Sequence, residues 1–288
     1  MKVIYYYHVP KCSGTFIMEN LRRICEKTSN AVWCRYNRNG ILFRNPQGVV
    51  YTNNATKFNT DSLNDISPDQ AKDFDKGDWP SVLENITNLN YEYVFMYQHH
   101  SWQGLKDLST ELQAAKQQVE AAGGTFYLFT CIRETLPFVN SYVNYIKNDW
   151  FAQHALSGVS DYNDFRERWS FDAAINEEWF NNYQSKYLLH NHEWNWTGDI
   201  TVNQEEMTEI ANLVDKIYVT KNISALKTDL LNLSIPNVES QWSDDVVNVS
   251  TKLFTMTEEQ GTQLTAKNQL DTWLYDNHGY TDDGVLDL

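Results

Sequence analysis

The sequence predicts an α/β fold, a mainly parallel central sheet flanked by helices. Three observations predict it. Short β-rich runs at 3–7, 91–97, 125–132 and 216–220 alternate with longer stretches of helical periodicity. Three of those runs end in polar, chemically able residues: Lys11 to Thr15, His99-His100, and Arg133. Parallel sheets bind ligands beyond the carboxyl ends of their strands, so that coincidence weighs more than any single motif. Finally, 42% of the 288 residues are hydrophobic and 14% aromatic, enough for a sizeable core. No repeat, low-complexity tract or Pro/Gly-rich linker divides the chain, so one domain over 1–288 is expected.

Each element has its local reason. Val3-Ile4-Tyr5-Tyr6-Tyr7 is a buried-strand run. It passes through His8-Val9-Pro10-Lys11-Cys12-Ser13-Gly14-Thr15 into a helix over 16–27, where Phe16, Ile17, Leu21, Ile24 and Cys25 share one stripe. Residues 41–52 read as a hairpin, 41–44 and 49–51 about a turn at Asn45-Pro46-Gln47-Gly48. Residues 53–80 are polar and read as loop with one short helix. The strand 91–97 ends in Gln98-His99-His100, and the helix after it, over 105–121, stops at Gly123-Gly124. The strand 125–132 ends at Arg133. Helical patterns follow at 137–148, 161–168, 171–190, 205–214, 222–232 and 258–277, interrupted by the strand 216–220.

Charge narrows the partners. Lys and Arg total 23 and Asp and Glu 38, a net charge of −15, which disfavours nucleic acid, anionic membrane surfaces and heavily sulfated polymers. A small anion in a locally basic pocket is not disfavoured. No apolar run reaches the length of a membrane span. The 4 cysteines lie far apart without a Cys-x-x-Cys, so neither a zinc site nor a disulfide framework is expected. With no secretory pattern at the N-terminus, a reducing cytoplasm is the expected compartment.

The loop Pro10 to Thr15 carries the clearest chemistry. Its small residues permit close backbone approach, successive N–H groups at a helix start form an anion cradle, and Lys11 adds a point charge. It is not a Walker A loop, because the Lys precedes the Gly and no glycine lies upstream. His8-Val9-Pro10-Lys11-Cys12-Ser13-Gly14-Thr15 closely resembles the H-[IV]-P-K-[TC]-[GS]-G-T signature of the carbohydrate sulfotransferases. Arg133 followed by Ser141, Asn182-Tyr183-Gln184-Ser185-Lys186-Tyr187-Leu188, and Asn248-Val249-Ser250 before a terminal helix resemble that family's later motifs, in its order. The family's Asp-Pro after the Arg is replaced by Glu134-Thr135-Leu136-Pro137, and its second Arg by Phe138.

The resemblance implies a P-loop-like sulfotransferase fold and a 3′-phosphoadenosine 5′-phosphosulfate (PAPS) donor, with no metal required. The donor's 5′-phosphosulfate would lie on Lys11, Cys12, Ser13, Gly14, Thr15 and Phe16, and its 3′-phosphate on Arg133 and Ser141. Lys11 would face the transferring sulfonate. A base must take the acceptor's hydroxyl proton, and an imidazole suits neutral pH. His100, whose spacing to Gly104-Leu105 matches the family's G-H-x-x-x-[GD]-[LF], is the expected base, with His99 as support. The expected acceptor is a saccharide hydroxyl. Arg35 and Arg38, in the most basic stretch with Arg44, are candidates to bind it, as are Gln184 and Lys186 on a helix expected to line the cleft. The segments 33–80 and 146–180 match no family motif and are expected to shape the acceptor cleft.

Trp150, Phe151, Trp169, Trp179, Trp194 and Trp196 suit core packing first and sugar stacking second. His190-Asn191-His192 reads as a polar loop rather than a metal site. Family members of this kind are usually Golgi proteins with an N-terminal anchor. A first strand beginning at residue 3 therefore suggests a bacterial or viral cytoplasmic enzyme. Two other readings stay open: a kinase-like protein using ATP, and a non-catalytic member binding nucleotide or glycan.

Overall fold

The structure, a computed structural model, describes residues 1–37, 40–45, 49–51, 57–59, 79–101, 103–146, 168–190, 201–245 and 254–280. The chain runs β1 (Lys2–His8), α1 (Gly14–Lys27), β2 (Ala31–Asn37), β3 (Gly40–Arg44), β4 (Val49–Tyr51) and β5 (Lys57–Asn59). It continues with α2 (Trp79–Glu84), β6 (Tyr93–Gln98), α3 (Ser109–Ala121), β7 (Thr125–Ile132) and α4 (Thr135–Tyr145). Then come α5 (Phe171–Asn176), α6 (Tyr183–His190), α7 (Gln204–Leu213), β8 (Lys216–Val219) and α8 (Ser224–Asn232). Last are α9 (Val238–Gln241), α10 (Glu258–Lys267) and α11 (Gln269–His278).

The strands form one mixed sheet in the order β5-β4-β3-β2-β6-β1-β7-β8. From β2 to β8 every neighbouring pair is parallel, and β3, β4 and β5 extend the other edge antiparallel. The α/β architecture with a mostly parallel sheet is thus as expected. β1 lies at the centre, and a strand covered on both faces reads as an unbroken hydrophobic run. Tyr5, Tyr6 and Tyr7 are accordingly all buried. The crossover from β1 leads through α1 to β2 on one side, and the one from β7 leads to β8 on the other. Strand order therefore reverses between β1 and β7, and a parallel sheet opens its binding crevice at such a point.

The sequence pattern missed β2, whose apolar run is interrupted by Arg35, and β5. The stretch 53–80, where one short helix is expected, lies mostly outside the described residues; a helix runs from Trp79 to Glu84. Two expected helices are each broken in two. The stretch 171–190 stops at Asn176 and resumes at Tyr183, with Asn182 left-handed at φ 50°. The stretch 258–277 breaks at Asn268. The two breaks lock together: Asn182 N–H donates to Asn268 Oδ1 at 2.7 Å, and Asn182 Oδ1 accepts from Leu270 N–H at 2.9 Å. The expected helix over 161–168 lies almost wholly outside the described residues. Among the described residues no helix is long and apolar enough to cross a membrane.

Candidate active site

The carboxyl ends of β1, β6 and β7, three adjacent strands, bring the loop 9–13, His99-His100 and Arg133 to one edge of the sheet. In the first loop Lys11 and Ser13 are both left-handed, at φ 62° and 60°. Non-glycine residues adopt that region at a cost, and such strain concentrates at ligand clamps. Turns of this alternating kind aim backbone N–H groups into a concavity that suits an anion. Ser13 caps α1 without accepting a side-chain bond from it, and no acidic residue stands in its first turn. The helix start is thus left to attract a negative charge. The Lys11 ammonium lies 3.8 Å over the ring of Tyr145 on α4.

Gly14 answers a need for space. A β-carbon there would lie 1.5 Å from His8 Nε2, so the imidazole packs directly on the glycine. His8 Nδ1 is 2.8 Å from the Tyr97 hydroxyl, and its ring stacks on His99 with centroids 3.8 Å apart. His99 in turn lies 3.6 Å from the ring of His100. His99 Nδ1 is 3.3 Å from the carbonyl oxygen of His8, which can only accept, so in that bond Nδ1 carries the proton and Nε2 the lone pair. The Tyr187 hydroxyl accepts the backbone N–H of His100 at 2.8 Å and lies 3.4 Å from His99 Nδ1. His100 is itself left-handed, at φ 48°. Burial, reinforced by His100 and Lys11, pushes His8 well below the usual imidazole range. Burial, with His100, His8 and Arg35, does the same to His99. Both rings are therefore neutral at pH 7.

At the end of β7 the backbone of Arg133 is held at both polar groups. Its N–H donates to Gln184 Oε1 at 2.8 Å, and its carbonyl accepts from Gln184 Nε2 at 2.8 Å. Its half-buried guanidinium makes no hydrogen bond or ion pair among the described residues. Ser141 lies four residues before Tyr145, on the same face of α4, and that face carries the ring under Lys11. An open groove of about 700 Å³ starts at Leu136 and is lined also by Met256, Gly261, Ala266 and Thr272.

Several expected contacts are corrected. Cys12 turns inward: its N–H returns to Val9 O at 3.3 Å and its thiol donates to Gln184 Oε1 at 3.2 Å. Burial raises that thiol's pKa well above the ordinary range, which makes it a poor nucleophile. The ring of Phe16 packs edge-on against Trp242. Gln184 and Lys186 do not line an open cleft, because their helix sits within the core. Gln184 is spent on Arg133 and Cys12, and Lys186, 6% exposed, donates to Glu178 O at 2.8 Å. Trp169 and Trp179 stack on each other beside Phe180, with Trp169 buried, so these two pack rather than bind.

Arg35 sits on β2 in register with Tyr97, at the same sheet end as His99. Its guanidinium makes no ion pair among the described residues, and its Nε is buried without a partner. Arg38, Trp150, Phe151, Trp194, Trp196, His192, Asn248 and Ser250 lie outside the described residues.

Sequence reasoning missed His8, Tyr97, Tyr187 and Asp271 as parts of the site. His8 stood in the quoted motif, and a histidine within a strand otherwise buried was the available signal. Tyr187 stood in the quoted motif from Asn182 to Leu188 without a sign of its role, and nothing local marked Tyr97 or the role of Asp271. Asp271 is buried on α11, where it accepts from Gln184 N–H at 3.0 Å, Ser185 N–H at 2.8 Å and Ser185 Oγ–H at 2.6 Å. It thereby caps α6 from another helix.

No protein-family model matches this chain, and no curated protein matches it.

Proposed function

We propose that the protein is a PAPS-dependent sulfotransferase with a P-loop-like sulfotransferase fold, moving a sulfonate group to a hydroxyl of a carbohydrate acceptor. One observation carries the reading. At the point where strand order reverses, β1, followed by the left-handed Lys11 and Ser13 of a loop that leaves α1 without a side-chain cap, lies beside β7, followed by an Arg133 without an ionic partner among the described residues. A donor with negative charge at both its 5′ and 3′ ends matches two such sites on adjacent strands. Ser13, Gly14 and Thr15 would hold the 5′-phosphosulfate through the start of α1. Arg133 and Ser141 would hold the 3′-phosphate.

Sulfuryl transfer of this kind is an in-line displacement that asks the protein to position two reactants and offset charge. The acceptor oxygen attacks sulfur while the bond from sulfur to the donor's bridging oxygen breaks. The acceptor's proton passes to His100, which the His99 ring and the Tyr187 hydroxyl hold in place. Lys11 offsets the negative charge that gathers on the departing bridging oxygen, and 3′-phosphoadenosine 5′-phosphate (PAP) is released. Arg35, on the His99 side of the sheet and without an ion pair among the described residues, is the residue we assign to the acceptor.

Calorimetric titration with PAP, ADP and ATP, on the wild type and on Arg133→Ala, tests the donor. PAP binding much tighter than ADP binding, lost in the variant, is the expected result. Equal affinity for PAP and ADP sinks the sulfotransferase reading and favours an ATP-using protein.

A further inference from the structure

We propose that Gln184 is a positioning residue that fixes the two anion-recognising halves of the donor site relative to each other; this rests on the sulfotransferase reading. Among the described residues its carboxamide bonds to both halves. Oε1 accepts the N–H of Arg133 at 2.8 Å and the thiol of Cys12 at 3.2 Å, and Nε2 donates to the carbonyl of Arg133 at 2.8 Å. Cys12 lies between the two left-handed residues of the nest, Lys11 and Ser13. A single amide plane thus joins the turn after β1 to the residue that follows β7.

The chemistry requires Gln. Both Arg133 backbone groups are satisfied only by a side chain that donates and accepts, and it must be uncharged beside an anion site. Glutamate would lose the donation and repel the ligand. The clip is itself rigid: Gln184 is 1% exposed, and Asp271 holds the backbone N–H of Gln184 at 3.0 Å and of Ser185 at 2.8 Å. A small displacement of positioned groups is enough to cost a large factor in recognition.

The test compares PAP with AMP, which lacks the 3′-phosphate, by calorimetry on the wild type, Gln184→Met, Arg133→Ala and the double variant, with melting temperatures recorded for all. The ratio of PAP to AMP affinity is the readout, because a merely structural residue lowers stability without moving it. We expect Gln184→Met to cut that ratio about tenfold or more with AMP affinity little changed. In the Arg133→Ala background it should cut the ratio no further, since coupled residues are not additive. A full ratio in Gln184→Met overturns the clip and leaves the donor reading standing. Equal PAP and ADP affinity in the wild type overturns the donor reading and the clip with it. Should Gln184→Met fail to fold, Gln184→Glu keeps both acceptances while losing the donation to Arg133 and adding a charge beside the site, and an unchanged ratio there overturns the clip equally.

Discussion

The imidazole of His8 occupies the space a side chain on Gly14 would need, with Nε2 1.5 Å from the position of its β-carbon. Gly14 does not have a positive φ, so the requirement is for room and not for backbone freedom. Gly14→Ala must push the ring away, breaking its 2.8 Å contact with Tyr97 and its stack on His99. Overpacking of this sort costs about 1–3 kcal/mol, and denaturant unfolding will read it. His8→Ala empties the space beforehand, so Gly14→Ala should cost far less in that background. Equal costs in both backgrounds would show that the contact does not constrain the fold.

The same ring gives a pH dependence with a definite sign. His8 and His99 are both held well below their ordinary value of 6.5, burial being the largest cause for each. Above 6.5 both are neutral folded or unfolded and make no difference. Below it the unfolded chain takes up protons that the folded one refuses, so stability falls with pH from 6.5 down to the folded values. Asp271 runs the other way, since burial raises its carboxyl above 3.8 and the folded state then holds a proton longer. Unfolding free energy measured from pH 7.5 to 5 should decline, and His8→Phe should flatten the decline. A wild-type profile level across that range counts against two buried neutral imidazoles.

The parts of the site that the sequence made legible are those whose chemistry sits within one short segment. Lys11 to Thr15 read as an anion loop because a strand-to-helix turn needs nothing from elsewhere, and in the structure Lys11 and Ser13 are left-handed there. Arg133 was legible by its place at a strand end. The role of Gln184 was not, because it arises only when α6 is laid across two strand ends, and a polar residue in a helix looks the same whether it faces a cleft or a backbone. The broken helices show the same limit. Helical periodicity continues through both breaks, and the bonds that join them, Asn182 N–H to Asn268 Oδ1 and Leu270 N–H to Asn182 Oδ1, come from residues 86 and 88 positions apart.

Asp271 offers a stability prediction of its own. It accepts three hydrogen bonds from the first turn of α6, at 3.0, 2.8 and 2.6 Å, and is buried. Asp271→Ala leaves buried donors without partners, at about 1–3 kcal/mol for each left unsatisfied. Asp271→Asn keeps one accepting oxygen and removes the burden of a buried carboxylate, so it should cost clearly less. Chemical denaturation of both variants checks the order, and a reversal would mean that the charge on Asp271 stabilises the fold despite its burial.

The proposed division of labour between the two histidines after β6 can be read from turnover. His100 follows the strand by two residues, and its ring is braced by His99 and by Tyr187, whose ring it meets edge-on at 6.2 Å. Neither group belongs to the nest or to Arg133, so the donor should bind without it. His100→Ala is therefore expected to keep PAP affinity while sulfonate transfer falls by about 10²–10⁴, the usual contribution of a positioned base. His99→Ala removes the ring that both other imidazoles lean on, so it should lower both stability and turnover, the latter less than His100→Ala does. The pH profile decides the case that would reverse these roles. His99 is held well below 6.5, so an acid limb of kcat/KM far below 6.5, abolished in His99→Ala and retained in His100→Ala, would assign the proton to His99 Nε2.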